Sequence, residues 1–417
     1  MHNVQYLERD LTFQELEILH RYSYKVRELD VEACTPYLID DTILQLFSES
    51  MEPIFPNLRV LGWYARSSRT ILSQYEPFYG LILTSGVTRI CFKGGVNARC
   101  LGLLPRKCPQ VIVIIIDEDV EKYYDEDPPP YPYGFPFGWP TWCCQVSTLR
   151  NLTLRLYPGA KHNRSLWRQM PQWSLSIHAL RVETDDIQRV ADFLAGAKLD
   201  HLTSLKIKLT RYPLLPRCQQ MGDLFDNISK ACSNNNLQAL TISKTSSLFV
   251  DIDSDADSET AGPGKTDPYV IDSSAFQPLL NITSLVKFKI TGANDFRWNL
   301  DEITILQLCR TWPKLQTFII NPNGSWASTG RLTLTTLKSL ARVGPNIEEF
   351  GINIDATRVP AIHRRVNNIQ QRSLQKLRLG NSKVHSSAAK VAAFLSCVFP
   401  NLRQIDTEDS MFETVFP

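Results

Sequence analysis

One hydrophobic cadence recurs along the chain: an apolar residue, two others, an apolar residue, one other, an apolar residue. It begins at Val26/Leu29/Val31, passes through Leu58/Leu61/Trp63, Val87/Ile90/Phe92, Leu149/Leu152/Leu154, Leu285/Phe288/Ile290 and Leu374/Leu377/Leu379, and ends at Leu402/Ile405/Thr407. A single triplet is unremarkable in a chain that is 43% hydrophobic, but thirteen of them at a mean spacing of about 31 residues are not chance. Alternation within the triplet has period two, so each predicts a short strand. Between the triplets, helical spacing of apolar residues predicts helices over 40–50, 184–198, 221–233, 301–311, 333–343 and 386–399. In the second of these, Ile187, Val190, Phe193, Leu194 and Ala197 share one face.

One strand and one helix cannot bury each other's apolar faces alone, so successive units must stack. The predicted fold is therefore α/β: a leucine-rich-repeat solenoid of about 13 irregular units, with a curved parallel sheet on the concave side and helices on the convex side. The mean period exceeds the 20–29 residues of such repeats, and insertions account for the excess. Residues 1–25, with Leu11, Phe13, Leu16 and Leu19 at helical spacing, predict an N-terminal helical cap. The solenoid occupies 26–408, with inserted loops at 117–140 and 243–274 and an irregular stretch at 157–174, and a tail follows at 409–417. Phe55-Pro56-Asn57-Leu58, Trp312-Pro313-Lys314-Leu315, Gly344-Pro345-Asn346-Ile347 and Phe399-Pro400-Asn401-Leu402 introduce strands in the same way. A proline there ends the preceding helix. Asp40, Asp185, Asp301 and Ser386 suit helix N-termini.

Charge narrows the partners. With 45 Lys+Arg against 43 Asp+Glu the formal charge is +2, which argues against bulk nucleic-acid binding and against a polybasic membrane patch. The longest apolar run, Val111 to Ile116, is too short to cross a bilayer. The opening residues lack the basic and apolar regions of a secretory signal, so the expected location is cytoplasmic or nuclear. Ten cysteines without a Cys-x-x-Cys pair read as reduced packing residues, and the five Asn-x-Ser/Thr sequons as coincidental.

Motifs for chemistry fail on inspection. Gly264-Lys265-Thr266 ends like a phosphate-binding loop, but position 259 is Glu259 where glycine is required. Asp251, Asp253 and Asp255 open like a calcium loop, but Ala256 and Gly262 stand where the turn glycine and bidentate glutamate belong. Ser254 and Ser258 remain candidate phosphate acceptors in an acidic loop. The seven histidines are dispersed, no Gly-x-Ser-x-Gly elbow is present, and Cys143-Cys144 would point apart on an extended segment. The expectation is a non-enzyme with no cofactor and no metal.

Numbered from its first apolar residue, each unit turns positions 3, 5 and 7 to the concave face. The first and last units put Glu28, Asp30, Glu32 and Gln404, Asp406, Glu408 there, whereas the middle is basic. Its candidate partner-binding residues are Arg155, Arg181, Lys206, Lys208, Lys287, Lys289, Lys376 and Arg378. A wet sheet face needs polar residues in any case. The sharper reading is a basic lane that engages an acidic or phosphorylated protein segment. Tyr123, Tyr131, Trp139 and Trp142 form a second candidate contact set.

The opening helix followed by Val26-Arg27-Glu28-Leu29-Asp30-Val31, the Asp40-Asp41 helix, Phe55-Pro56-Asn57-Leu58-Arg59-Val60-Leu61-Gly62-Trp63 and the repeated Pro-Asn-Leu lead-ins together resemble the C-terminal leucine-rich-repeat region of F-box proteins of mushroom-forming fungi. The resemblance covers nearly the whole chain. It implies a substrate receptor of a ubiquitin ligase: the F-box holds a Skp-type adaptor and the repeats hold the protein to be modified, so the receptor contributes positioning and no bond-making. The chain departs from the pattern in two respects. The Asn/Cys expected nine residues into each unit occurs only at Cys34 and Asn323. The F-box, which usually opens on a Leu-Pro pair, is not visible, because Leu104-Pro105 and Leu215-Pro216 fall inside the repeats. The expectation is a truncated gene product or a relative without the adaptor-binding end, so a Skp-type adaptor is expected only if an F-box lies upstream. The alternative is a repeat scaffold or inhibitor unrelated to ubiquitination.

Overall fold

The computed structural model describes residues 13–33, 53–65, 80–93, 98–117, 144–156, 173–210, 216–244, 269–292, 296–326, 332–360, 370–382 and 388–407. The chain divides into two compact units, Met1–Val182 and Glu183–Pro417.

In the first unit, helix α1 (Phe13–Ser23) precedes strands β1 (Glu28–Ala33), β2 (Val60–Ala65) and β3 (Arg89–Lys93). Helix α2 (Ala98–Lys107) leads to β4 (Val113–Asp117), β5 (Asn151–Leu156), the two-residue β6 (Trp173–Ser174) and β7 (Ala179–Thr184). Strands β1-β2-β3-β4-β5-β7 lie side by side in chain order, and every register resolved here is parallel. The second unit contains α3 (Ile187–Leu194), the two-residue β8 (Ala197–Lys198), β9 (Ser204–Leu209), α4 (Cys218–Ala231), β10 (Ala239–Lys244) and β11 (Val270–Asp272). It continues with a 3-10 helix (Ser273–Asn281), β12 (Lys287–Thr291), β13 (Arg297–Asn299), α5 (Glu302–Thr311), β14 (Thr317–Ile320), β15 (Ser325–Trp326), α6 (Leu334–Val343), β16 (Glu349–Gly351), β17 (Lys376–Gly380), α7 (Ala388–Val398) and β18 (Gln404–Thr407). Its parallel row is β9-β10-β12-β14-β16-β17-β18.

The cadence carries this architecture. All three apolar residues of every triplet from Leu58 through Leu379 are at most 2% exposed. Burying one such side chain stabilises by roughly 1.5–3 kcal/mol relative to leaving it in water. Val26, Leu29, Leu402 and Ile405 are only half-buried, because β1 and β18 each have a neighbour on one side only. In the second unit, Phe288, Phe318 and Phe350 share one register level, with ring centroids 5.8 Å and 5.4 Å apart.

A repeated hydrogen-bond device joins the rungs. The carbonyl just before each strand accepts two successive amides of the next rung. Gln316 and Thr317 both donate to Val286, Glu348 and Glu349 to Gln316, and Gln375 and Lys376 to Glu348; Arg59 and Val60 do the same to Arg27 in the first unit. The lead-in turns are equally regular. Gly344 N donates to Leu340 O at the end of α6, and Ile347 N to Gly344 O, with Pro345 between them. Trp312–Leu315 and Phe399–Leu402 repeat this arrangement. Proline fits because the second turn position needs no amide.

Several expectations shift. Asp301 caps α5, its carboxylate accepting Thr304 N at 2.7 Å, but α3 is capped by Asp186 (2.8 Å to Gln188 N) and not by Asp185, which instead lies 3.4 Å from Arg189. The windows at 184–198, 221–233, 301–311, 333–343 and 386–399 all hold helices, with α4 starting earlier at Cys218 and α3 ending at Leu194. Within the predicted loop at 243–274, Ser243 belongs to β10, Val270–Asp272 is a strand and Ser273 opens the 3-10 helix. That helix buries Phe276 and Leu279 at its own three-residue spacing. Strands β11, β13 and β15 form a second parallel ladder, too short to leave an alternating pattern. Helix α2 was not anticipated: Gly102 and Pro105 weaken its helical signal, although Leu101 and Leu104 are buried. The predicted helix at 40–50, the acidic loop 251–259, Tyr123, Tyr131, Trp139 and Trp142 lie outside the described residues.

Candidate functional site

Alternation along each strand seals one face against the helices and leaves the other wet, as in β5 and β12, where buried and accessible residues alternate. In the first unit Arg155 and Arg181 stand half-buried on adjacent strands β5 and β7. Both are already held by interactions with their surroundings.

The other six candidate cations belong to the second unit, where strand register gives their order. One level runs from Lys206 on β9 to Thr241 on β10, then Lys289 on β12, Ile319 on β14, Gly351 on β16, Arg378 on β17 and Asp406 on β18. Lys208 is level with Ser243, and Ser243 with Thr291. Lys287 and Lys376 are level with Thr317 and Glu349 respectively.

The cations form two unlike groups. Arg378 donates from both Nε (2.7 Å) and Nη2 (2.6 Å) to Glu349 Oε1, and its Nη1 lies 3.5 Å from Asp406 Oδ2. Lys376 Nζ is 3.1 Å from the same Asp406 oxygen. The acidic end expected at the last strand is thus engaged by the cations of the strand before it. Lys206, Lys208, Lys287 and Lys289 have no ion pair among the described residues; Lys206 and Lys287 are exposed, Lys208 and Lys289 half-buried.

Lys289 is perturbed. Burial lowers its pKa from the ordinary lysine value, and nearby Arg378, Lys287 and Lys376 push the same way against an opposing contribution from Glu349. Three strand spacings separate the backbones of β12 and β17, about 14 Å, and Gly351 lies level with Arg378 between them. A Cβ there would lie 3.1 Å from Ile319 Cγ2 and 3.2 Å from Arg378 Cβ. The missing side chain lets the Ile319 and Arg378 stems close over the gap and leaves Ile319 fully buried.

Beside this level lies a cavity of about 250 Å³ lined by Thr291, Asn321, Asn323, Arg378, Asp406 and Thr407 among others. Its rim is shaped by Asn321 (φ +35°) and Gly380 (φ +50°). No group of three or more His, Cys, Asp or Glu side chains arranged to hold a metal ion occurs among the described residues. Among the same residues no helix is long and apolar enough to cross a membrane.

Sequence reasoning missed one set of side chains. The residue just before the first apolar position is asparagine in four rungs, and each donates across to the previous rung: Asn57 to Tyr24 O, Asn236 to Asp200 O, Asn346 to Pro313 O and Asn401 to Arg372 O, at 2.6–2.8 Å. Thr148 does the same to Pro109 O at 2.7 Å. For Asn57, Asn346 and Asn401 the signal was the asparagine that follows the lead-in proline.

No family model matches the chain, and no characterised protein matches it in sequence. Among solved structures it is similar to one described as the crystal structure of a Rad7 and Elc1 complex in yeast. The match covers 94% of this chain and 88% of that chain, at 12% identity and a TM-score of 0.36.

Proposed function

We propose that this protein is a non-catalytic protein-interaction solenoid that captures a partner on the open face of its strands. The observation that carries the reading is the alternating burial of in-register parallel strands. It fixes one row of polar side chains every 4.7–4.9 Å or so on a face that the described helices leave accessible. A sheet edge or loop would present such groups with less order. The lead-in sequences described above support a finer version, in which the chain is the substrate-binding part of an F-box-type ubiquitin-ligase receptor. In that role it would hold a partner near a separately recruited transferring enzyme.

The test is affinity capture with the full chain, scored separately for a Skp-type adaptor and for co-purifying partners. Reversal of Lys206, Lys208, Lys287 and Lys289 to Glu is expected to abolish partner capture while leaving the circular dichroism spectrum unchanged. Capture that survives this variant counts against the open face. Partners that appear without any ubiquitination machinery favour a scaffold over a ligase receptor.

A further inference from the structure

The open face of β9, β10 and β12 has an unusual composition. Its nine outward positions are Ser204, Lys206 and Lys208, then Ala239, Thr241 and Ser243, then Lys287, Lys289 and Thr291. They comprise four lysines, four hydroxyls and one alanine, with no carboxylate and no aromatic ring. Elsewhere on the same sheet, at β16–β18, cations are matched by Glu349 and Asp406 within 3.5 Å. The cations of β9 and β12 are therefore clustered without an ion-pair partner among the described residues, an arrangement that favours an external anion.

The kind of anion follows from the donors. A carboxylate is planar and best matched by the fork of an arginine, but the arginine of this face already places two donors on Glu349. A phosphate monoester carries about −1.5 to −2 charges and three acceptor oxygens, which suits point-charge ammonium groups and hydroxyl donors approaching from different sides. Register provides such a seat. Thr241 is level with Lys206 on one side and Lys289 on the other. The two lysine backbones are about 10 Å apart, and their flexible four-carbon stems can converge over the threonine hydroxyl. The absence of aromatic side chains from the nine positions disfavours single-stranded nucleic acid, which needs rings on which its bases stack.

We propose that β9, β10 and β12 dock a phosphorylated serine or threonine segment of a protein partner, with the phosphate over Thr241 between Lys206 and Lys289 and with Lys208, Lys287 and Ser243 extending the contact. This deepens the interaction reading above and rests on it.

The experiment uses the full chain and fluorescent peptide pools with degenerate flanks, centred on phosphoserine or phosphothreonine, on the unmodified residues, or on Glu, read by anisotropy. The phosphorylated pools are expected to bind at least about tenfold more tightly than the other two. K206E/K289E should remove that preference, and T241V should weaken it by a smaller factor, both with unchanged circular dichroism. Equal affinity for all pools, indifference to K206E/K289E, no binding of any pool, or equally tight binding of a single-stranded oligonucleotide of matched charge would each overturn the proposal. Partner capture separates the two levels. A partner retained equally from phosphatase-treated and untreated extract, yet lost with the quadruple lysine reversal, removes the phosphate and leaves the interaction surface. Capture that survives the quadruple reversal removes the surface itself.

Discussion

Replacing Gln371 with Met should cost far more stability than its polarity suggests. Three residues before Leu374, a lead-in turn in most other rungs supplies a main-chain carbonyl for the amide of the first apolar residue, as Gly344 does for Ile347 and Phe399 for Leu402. In this rung the Gln371 side chain does that work. Its Oε1 accepts Leu374 N at 2.7 Å, while Nε2 donates to Ile347 O at 2.8 Å, with the Gly344 and Pro345 carbonyls at 3.2 and 3.3 Å. Gln371 is 4% exposed, so water cannot replace it. Methionine keeps the volume and orphans one buried amide and one buried carbonyl, each worth about 1–3 kcal/mol, for a total of roughly 2–6 kcal/mol. The control is Asn346→Ala, which removes a 2.8 Å bond to the Pro313 carbonyl at an exposed site. Water re-solvates that carbonyl, so the cost is only about 0.5–1.5 kcal/mol. Urea unfolding followed by circular dichroism compares the two midpoints, and hydrogen exchange at the Leu374 amide locates the damage. If Gln371→Met costs no more than Asn346→Ala, the account of the side chain as a surrogate turn is wrong.

Glycine positions should respond in opposite directions. Gly380→Ala, at φ +50° with a Cβ that would run into the Pro322 carbonyl, should lower stability by roughly 2 kcal/mol or more, and Gly102→Ala, in open space on α2, should raise it by about 0.5–1 kcal/mol, both read from urea midpoints. Burial and the adjacent cations disfavour the charged form of Lys289. Its penalty therefore acts below its depressed folded pKa and is relieved as pH rises through that value toward the ordinary lysine range near about 10.4. Lys289→Met should accordingly raise the midpoint at pH 7, with the gain shrinking as pH approaches about 10; a gain independent of pH would refute the electrostatic cause. Burial pushes the Cys108 and Cys232 thiols up to about 12 and that of Cys309 higher still, whereas Cys397 is exposed. Iodoacetamide labelling of the native protein at pH 8, mapped by mass spectrometry, should modify Cys397 well before the other three.

Much of the strand order could be read from the sequence because each triplet encodes two things at once: period-two burial, and a spacing that only stacking can satisfy. Leu61 and Trp63, or Leu377 and Leu379, reach the core for the reason their positions suggested. What escaped notice has a physical cause. Val270–Asp272, Arg297–Asn299 and Ser325–Trp326 are too short to show a period. Phe276 and Leu279 follow a three-residue repeat that a 3.6-residue template does not register. Gln371 acts on main-chain atoms of the preceding rung, and no local pattern marks such a target.

The eight candidate cations show the same limit from another side. Position numbering alone placed Lys206, Lys289 and Arg378 on the wet face and treated them as equivalent. Register and one missing side chain make them different. Gly351 leaves room for the Ile319 and Arg378 stems, and Arg378 is committed to Glu349 and to Asp406, its register neighbour. A cation that already shares two carboxylates offers little to a third anion, because the new partner must displace charge-assisted bonds as strong as those it would form. Lysines flanked by threonine and serine lose only hydration when an anion binds. The binding capacity of this face is therefore set by which neighbouring rungs lack acids, and that is a property of pairs of strands 35 to 48 residues apart in the chain.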